Sequence, residues 1–208
     1  DDVNMGQSSN DVTPTAIRLS ALMMLPGLLS EMSRLETAFR KKARRFNRIT
    51  AVGRTHLQDA VPINFGDHLK PQATSLKKDG NRLRAAFSEL QELPIGGTAV
   101  GNGINAHRSF GKKMCAELGR ILNLEMRASP DPMELTQSVN AFLSASNSME
   151  VLAIDLVRIS KHLQLLSSGP NGGINELFLP EVEPGSSIMP GKVNPSVPEA
   201  VEAAGYHV

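Results

Sequence analysis

Apolar residues recur at helical spacing between residues 13 and 48, the first of three long stretches of this kind. Their steps of four, three, four, three, four and then seven form a heptad stripe at Ala21, Leu25, Leu28, Met32, Leu35, Phe39 and Phe46. Thr13 before Pro14 is a plausible N-cap followed by proline at the first helical position. Because Pro26 lies inside the stripe, the pattern predicts a long helix with a kink or a break there.

Two further long helices and a shorter one are predicted downstream. One covers residues 65–93, with apolar side chains along one side and interruptions at Pro71 and Gly80. A short amphipathic helix covers residues 109–122. The third long helix covers residues 132–167, where apolar positions alternate in steps of three and four at Met149, Leu152, Leu156, Ile159, Leu163 and Leu166. Little of the remaining sequence is typical of strands.

The third helix carries a second apolar side at Val151, Ile154 and Val157. At a rise of 1.5 Å per residue it is about 50 Å long, and Ser168-Gly169-Pro170 ends it. A helix that is apolar on more than one side needs neighbours on each, and one chain of this size offers too few. The expected fold class is therefore all-α, a long-helix bundle that assembles between subunits.

Composition and charge narrow the function classes. The 208 residues carry a formal net charge of +1, which favours neither a nucleic-acid partner nor a membrane surface. The basic run Arg40–Arg45 is typical of a solvated helix face, and no continuous apolar run reaches the roughly 18 residues of a membrane span. Cys115, the single cysteine, is expected to be a small buried residue in a reducing compartment, which favours a cytoplasmic location.

Four connecting stretches are rich in Gly, Ser, Thr and Asn, at residues 5–11, 53–59, 96–105 and 169–194. Loops of this composition on a rigid helical scaffold commonly carry chemistry. In the last of them Gly185 and Gly191 permit backbone conformations closed to other residues, and the small side chains leave backbone N–H groups free to converge on an anion. Lys192 adds a positive charge and Asn194 a neutral donor. A flexible surface turn has the same composition, so composition alone does not choose between them.

The stretch Gly185-Ser186-Ser187-Ile188-Met189-Pro190-Gly191-Lys192-Val193-Asn194-Pro195 resembles, residue for residue, the signature loop of the aspartase/fumarase superfamily of lyases. The resemblance implies that Ser186 acts as the base and that Lys192 and Asn194 hold a substrate carboxylate. Ser187 and Met189 would also contact the substrate. This form of the loop is similar to fumarases and aspartases rather than to argininosuccinate or adenylosuccinate lyases.

An early segment resembles the family in order and spacing. Ser8, Ser9 and Asn10 match the family's loop that hydrogen-bonds a substrate carboxylate. The alternative is an N-cap for the following helix, a role that Asp11 or Thr13 can also take.

Two more segments resemble the family. Thr55 and His56 match a Thr-His pair that faces the substrate, although a lone histidine is more often structural. The family pairs this histidine with a carboxylate four residues after the proline of the signature loop, here Glu199, and such a partner holds the ring tautomer. Thr98 lies in a Gly-rich stretch that resembles the family's Gly-Thr-Ala-Val-Gly-Thr-Gly, with Asn102 in place of Thr. No βαβ pattern surrounds it, which excludes a dinucleotide loop.

The resemblance implies proton abstraction next to a carboxylate followed by loss of a small group, which gives fumarate from a small dicarboxylate or amino-acid substrate. Ser186 would act as an alkoxide stabilised by its positive surroundings. The resemblance also implies a homotetramer in which three subunits contribute to each site, with no cofactor. No metal site is expected, because the other histidines have no ligand spacing: His68, His107, His162 and His207.

The leaving group is less clearly indicated. Residues 166–170 and 195–199 are closer to aspartases, whereas Ser9 is more usual in fumarases. Aspartases often have Thr at the position of Ser9, and Ser and Thr differ by only one methyl group, which discriminates weakly. The two longer stretches carry more weight, so loss of ammonia from L-aspartate is favoured over fumarate hydration. The rival class is a non-catalytic helical assembly module. A purely structural protein has no reason to keep all four of the family's site side chains, which are present here as Ser186, Lys192, Asn194 and His56.

Family members extend beyond both ends of this sequence. Residues 1–208 are therefore expected to be a central helical domain truncated at both ends, with an incomplete site and little activity alone. Asp2 stands where the family often has His.

Overall fold

Helices dominate the computed structural model, which describes residues 2–208. Within these residues lie six α-helices: α1 (Ser9–Arg45), α2 (Gly66–Ser88), α3 (Phe110–Leu122), α4 (Pro132–Gln137), α5 (Asn140–Leu166) and α6 (Ser196–His207). The described residues also form four strands, β1 (Thr50–Thr55), β2 (Gln58–Asn64), β3 (Glu92–Leu93) and β4 (Arg127–Ala128), and two 3₁₀ turns, Asp2–Asn4 and Glu89–Gln91. The predicted helical class is confirmed.

The chain divides into two compact units, each built from two separate stretches. The first unit takes in the residues up to Glu31 together with Gly80–Ser148, and the second consists of Met32–Asp79 and Met149–Val208.

Helix α1 begins earlier than predicted and continues through Pro26. Ser8 caps it rather than Thr13, because the Ser8 hydroxyl accepts the backbone N–H of Asn10 at 3.2 Å. Pro14 and Pro26 each remove one main-chain hydrogen bond, and the bonds on either side keep the 37 residues in one helix. The predicted N-cap is therefore wrong, and of the predicted kink or break at Pro26 the break is wrong. Helix α2 likewise continues through Pro71 and Gly80.

The third predicted helix is two helices, α4 and α5, because the chain leaves helical geometry at Ser138. This residue is extended, with φ −79° and ψ 133°. Its N–H still bonds to the Glu134 carbonyl at 2.9 Å, while its hydroxyl accepts the Asn140 N–H at 3.3 Å as the next helix begins. A serine side chain thus replaces the main-chain bonds that a continuous helix would have made.

An antiparallel hairpin, β1 with β2, follows α1 and was not predicted. Its two-residue turn consists of His56 and Leu57, with φ of 52° and 64°, and the register shifts by a bulge between Gly53 and Arg54. Such turns normally carry Asn-Gly or Asp-Gly, so the sequence lacks the usual signal. Helix α6 was not predicted either.

Cys115 lies in the apolar core of the first unit, as predicted, beside Leu93 and Ile95. Partly buried side chains of α1, of α3 and of the segment at residues 126–128 complete this core: Val12, Leu19, Phe110, Met114, Leu118, Met126 and Ala128. Burial raises the pKa of the Cys115 thiol to about 11, so the thiol stays protonated at neutral pH and unreactive.

Polar side chains join α2 to α5 in the second unit. Arg158 donates to Gln72 Oε1 at 2.8 Å and to Asp155 Oδ1 at 3.0 Å, and the Ser75 hydroxyl donates to Asp155. Burial raises the pKa of Asp155, but the hydrogen bonds from Ser75 and Arg158 outweigh it and hold that pKa below its ordinary value. A satisfied network of this kind selects which faces of the two helices meet.

By length and composition, α1 is the one helix among residues 2–208 that could cross a membrane, with a mean hydropathy of 1.4 over its most apolar 18 residues. Core helices of globular proteins pass the same test. Arg18 and Glu31 interrupt this helix, so it contains no continuous apolar run of about 18 residues.

Candidate active site

The first group of predicted site residues lies where α1 begins. The Ser8 backbone N–H donates to Asp11 Oδ1 at 2.9 Å, and the Ser8 hydroxyl accepts the Asn10 N–H. This reciprocal arrangement is a capping box in which aspartate takes the place of the usual glutamate. Ser8 is therefore the N-cap of α1, as the alternative interpretation of this segment predicted. Its hydroxyl oxygen accepts a hydrogen bond in this role, so the hydroxyl can still donate its own proton. Ser9 and Asn10 are exposed beside it.

The Gly-rich stretch that contains Thr98 lies against this helix start. Asp11 Oδ2 accepts the backbone N–H groups of Gly96 at 3.0 Å and Thr98 at 2.9 Å. Asn10 Nδ2 donates to the Ala99 carbonyl at 2.7 Å. Two segments almost ninety residues apart are therefore joined, and the structure brings Asn10 and Thr98 together as substrate-side candidates.

Thr98 has two unusual features. Its φ is +57°, a left-handed conformation that costs a non-glycine residue about 1–2 kcal/mol. It is only 5% exposed, and its hydroxyl oxygen is buried without a hydrogen-bond partner among residues 2–208. Buried hydroxyls without partners are uncommon, and strained residues cluster at ligand sites.

In the second unit, the hairpin turn presents Thr55 and His56, both of which are exposed. Arg54 anchors this end of the hairpin through two bonds to Glu176, at 2.5 and 3.2 Å, and lies 3.5 Å from Asp59. The hydrogen bond from Arg54 holds the pKa of Glu176 below its ordinary value, and the same bond raises the pKa of Arg54. The ion pair thus ties the turn to the segment that follows α5.

The signature loop is tightly packed at its base, around Gly185 and Asn194, and exposed to solvent at its tip. A Cβ on Gly185 would lie 1.9 Å from the Lys192 carbonyl oxygen, so only glycine fits there. Asn194 Nδ2 donates to the Gly185 carbonyl at 3.0 Å, which uses one of its two N–H groups. At the tip, Ile188 is 83% exposed, and Gly191 has a φ of +79°.

Ser186, half-buried at the start of this tip, already has a backbone donor. The Ile188 N–H donates to Ser186 Oγ at 3.3 Å. A donor in this position favours the charged form of an oxygen. Ser187, Met189 and Lys192 are exposed around it.

An open cavity of about 700 Å³ lies between the base of the signature loop and the end of α5. Lys192 and Asn194 line it from the loop, and Ser167–Pro170 line it from the other side. The first aspartase-like stretch, residues 166–170, therefore meets the signature loop at one cavity, and of the second stretch Pro195 lines it. The cavity contains two of the predicted site residues, Lys192 and Asn194.

The structure does not bring every predicted residue of the second unit together. Glu199 lies exposed in the first turn of α6. Among residues 2–208, no side-chain hydrogen bond joins His56 to Glu199 or Lys192 to Ser186. In the same part of the chain, no group of three or more His, Cys, Asp and Glu side chains could hold a metal ion.

Asp11 and Glu176 organise these segments but were not predicted as site residues. For Asp11 a signal existed, because it follows Ser8 by three residues, the spacing of a capping box. Glu176 had none, since only the fold places it against Arg54.

A family model described as Lyase matches residues 1–208, the whole chain. The aspartate ammonia-lyase of Pseudomonas aeruginosa is 45% identical over 208 residues, which are 100% of this chain and 44% of that relative. The class II fumarate hydratase of Helicobacter pylori is 40% identical over 209 residues, covering 100% of this chain and 45% of that relative. The chain belongs to the aspartase/fumarase superfamily of lyases, and it spans less than half the length of these relatives.

Solved structures agree with this assignment. A fumarate lyase:delta crystallin from Brucella melitensis bound to cobalt is 43% identical, with a TM-score of 0.96 over 99% of this chain and 45% of that one. A class II fumarase from Schistosoma mansoni is 34% identical, with a TM-score of 0.94 over 98% of this chain and 46% of that one. Relatives of both activities match at similar levels, so the comparisons leave the substrate open.

Proposed function

We propose that the full-length protein containing this chain is an ammonia-lyase that converts L-aspartate to fumarate. The observation that carries the proposal is the shared cavity, in which the aspartase-like Ser167–Pro170 faces Lys192 and Asn194 of the signature loop. Residues that line the same cavity as the carboxylate-binding groups are well placed to distinguish an amino group from a hydroxyl.

In the proposed reaction, Ser186 Oγ as an alkoxide takes the proton from the carbon next to one carboxylate. The electron pair passes onto that carboxylate, which briefly carries two negative charges, and then forms the carbon–carbon double bond as the C–N bond breaks. The electrons of the C–N bond stay on nitrogen, and the ammonium group of the substrate leaves as ammonia. Lys192 and Asn194 stabilise the doubly charged carboxylate as it forms. Ser187 and Met189 contact the substrate from the same loop, and the exposed tip closes over it and excludes water.

The other substrate carboxylate is held by neutral donors. Ser8, Ser9 and Asn10 surround it, and Thr98 contributes the buried hydroxyl that has no partner within residues 2–208. Thr55 and His56 face the substrate from the hairpin turn, and Glu199 orients His56 when a neighbouring subunit completes the site.

We further propose a homotetramer with three subunits at each active site, in the cytoplasm and without a cofactor. Large apolar side chains on helix surfaces support the assembly: on α5, Leu143 is 56% and Ile154 60% exposed, and on α1, Met24 is 77% exposed. Patches of this kind on helices are typical of subunit interfaces. In this proposal residues 1–208 are the central helical domain of a longer chain.

Fumarate hydration is the second candidate, because Ser9 is the residue more usual in fumarases and relatives of that activity match at 40% identity. The third candidate is a non-catalytic assembly module. It explains the exposed apolar helix faces but does not explain why the chain contains all four of Ser186, Lys192, Asn194 and His56.

The test is fumarate formation by the full-length protein, followed by ultraviolet absorbance, with L-aspartate and L-malate compared at equal concentrations. Turnover of aspartate alone supports the proposal. Turnover of malate alone establishes the fumarase instead, and turnover of neither favours the assembly module.

Replacing Ser186 by Ala separates catalysis from assembly. We expect Ser186→Ala to lower kcat by at least ~10³-fold, within the range for loss of a proton-transfer group, with the sedimentation coefficient unchanged. Ser20→Ala is the matched control, because within residues 2–208 the Ser20 hydroxyl bonds only to the Ala16 carbonyl of its own helix. If Ser186→Ala retained activity, the proposed base would be wrong.

A further inference from the structure

The buried carboxylate of Asp11 makes more bonds than a helix cap requires. One oxygen accepts the Ser8 N–H in the capping box at 2.9 Å. The other accepts the N–H groups of Gly96 and Thr98 at 3.0 and 2.9 Å, which lie 85 and 87 residues away in sequence. The side chain is fully buried, so water does not compete for these three donors.

The segments that Asp11 joins are both proposed to hold the substrate. One is the Ser8–Asn10 turn, and the other is the stretch containing Thr98 with its left-handed φ of +57°. A threonine remains in that conformation only where its surroundings determine it. The bond from its own N–H to Asp11 holds this backbone conformation, and the backbone in turn sets the direction in which the Thr98 side chain leaves it.

We propose that Asp11 is a positioning residue that fixes the Ser8–Asn10 turn and Thr98 in one geometry, so that together they fit a single substrate carboxylate. The inference rests on the proposed function, since it assigns Asp11 a role in the same site. Asp11 itself touches no substrate, because both of its oxygens already accept backbone hydrogen bonds. Asn10 Nδ2 reinforces the link through its bond to the Ala99 carbonyl.

Replacing Asp11 by Asn tests the proposal with almost no change in volume. An amide has one oxygen and two N–H groups, so at least one of the three backbone donors then faces another donor. We expect kcat/KM of the full-length enzyme to fall about 100-fold, the scale of a misplacement of about 1 Å. Most of the loss should be in KM, because the affected groups bind the carboxylate and do not transfer the proton.

Asp131→Asn is the matched control, because the Asp131 carboxylate also accepts two backbone N–H groups, those of Met133 and Glu134, at 3.1 and 3.2 Å. Both partners belong to its own helix, α4. We expect this variant to leave KM unchanged. Amide hydrogen exchange of both full-length variants, followed by mass spectrometry of peptides covering residues 94–100, should accelerate only in Asp11→Asn.

The outcomes are distinct. Faster exchange at residues 94–100 with a raised KM supports the inference, whereas faster exchange with unchanged kinetics overturns it. A fall in kcat at constant KM in Asp11→Asn also overturns it, because that result indicates only a smaller folded fraction. If the unmodified protein forms fumarate from neither substrate, the proposed function fails separately. Succinate binding by calorimetry then decides. Weaker binding by Asp11→Asn than by the unmodified protein retains the positioning role, whereas equal binding by the two, or no binding by the unmodified protein, overturns it.

Discussion

The pair of Arg54 and Glu176 controls the position of the hairpin turn at the scale of single residues. Both side chains are mostly buried, at 18% and 21% exposure, and they meet through two hydrogen bonds. A two-bond arginine–carboxylate contact fixes direction as well as distance. Thr55 and His56 are adjacent to this anchor along the chain, so their placement depends on a carboxylate that follows α5.

The Arg54–Glu176 contact predicts a pH-dependent contribution to stability. Since the folded-state pKa of Glu176 is lowered from the ordinary value of 4.5, its contribution is present above pH 4.5 and is lost as pH falls through the lower folded value. We expect Glu176→Gln to cost about 1–2 kcal/mol at pH 7, and less as the pH approaches 3. Thermal unfolding of the full-length protein at several pH values measures this.

A control for this experiment is Glu117→Gln. The Arg120–Glu117 pair on α3 has 71% and 60% exposed side chains, and pairs of that kind contribute little. An equal loss of stability in both variants at pH 7 would contradict the assigned role of Glu176.

At the scale of elements, the hairpin turn retains a bulky residue in a conformation that favours glycine. Leu57 has a φ of 64° and is 69% exposed, so its side chain contributes little burial within this chain. We expect Leu57→Gly to stabilise the full-length protein by about 0.5–1 kcal/mol, because the relief of left-handed strain exceeds the entropy cost of glycine. The measurement is the midpoint of chemical unfolding.

The matched variant is Leu57→Val, which places a β-branched side chain at the same positive φ and should destabilise by a similar amount. If both changes destabilise, Leu57 has a contact that outweighs the strain, which would favour an interface at the turn.

Helices α2 and α5 also bring two histidines together. The rings of His68 and His162 lie 5.4 Å apart, and each has a buried Nε2 without a hydrogen-bond partner among residues 2–208. The pKa of His162 lies below its ordinary value of 6.5. Burial is the largest cause, and electrostatic repulsion by His68 and Arg158 lowers the pKa further. The neutral ring is therefore the form that the folded protein favours.

Stability should accordingly fall as the pH drops below 6.5, because the unfolded chain gains a proton on His162 before the folded chain does. We expect His162→Gln to reduce this fall in thermal stability between pH 7 and pH 5. The exposed His207 in α6 supplies the control, since His207→Gln should leave the pH profile unchanged. An unaltered profile in His162→Gln would show that other groups cause the loss.

At the scale of the whole molecule, assembly and activity are expected to depend on the same helix faces. Ile154 on α5 is 60% exposed. We expect Ile154→Asp to dissociate the proposed tetramer and to lower activity at least about 10-fold, because a buried charge without a partner is costly at an interface and each site needs several subunits. Analytical ultracentrifugation and the fumarate assay measure the two effects.

Glu117→Gln, a change at an exposed position on a different helix, α3, should affect neither property. Dissociation of Ile154→Asp with full activity would contradict a site shared between subunits.

The helical class, the extent of α3 and the burial of Cys115 were predictable from the sequence, because each depends on apolar periodicity within one segment. The residues proposed to carry the chemistry were also chosen from local sequence, since Ser186, Lys192 and Asn194 belong to one continuous stretch. The break at Ser138 and the hairpin were not predictable in this way. The first depends on a side-chain bond that competes with the helix, and the second on a strained turn that the rest of the fold supports.

The sequence by itself determined the family, the long helices and the set of residues available for chemistry, because these follow from composition and short-range order. Only the tertiary structure decided which of them meet: Asp11 with Gly96 and Thr98, Arg54 with Glu176, and Ser167–Pro170 with Lys192 across one cavity. The physical reason is that each contact joins segments far apart in the chain, so no local preference specifies it. It forms because a buried donor, acceptor or charge must find a partner once the helices have packed.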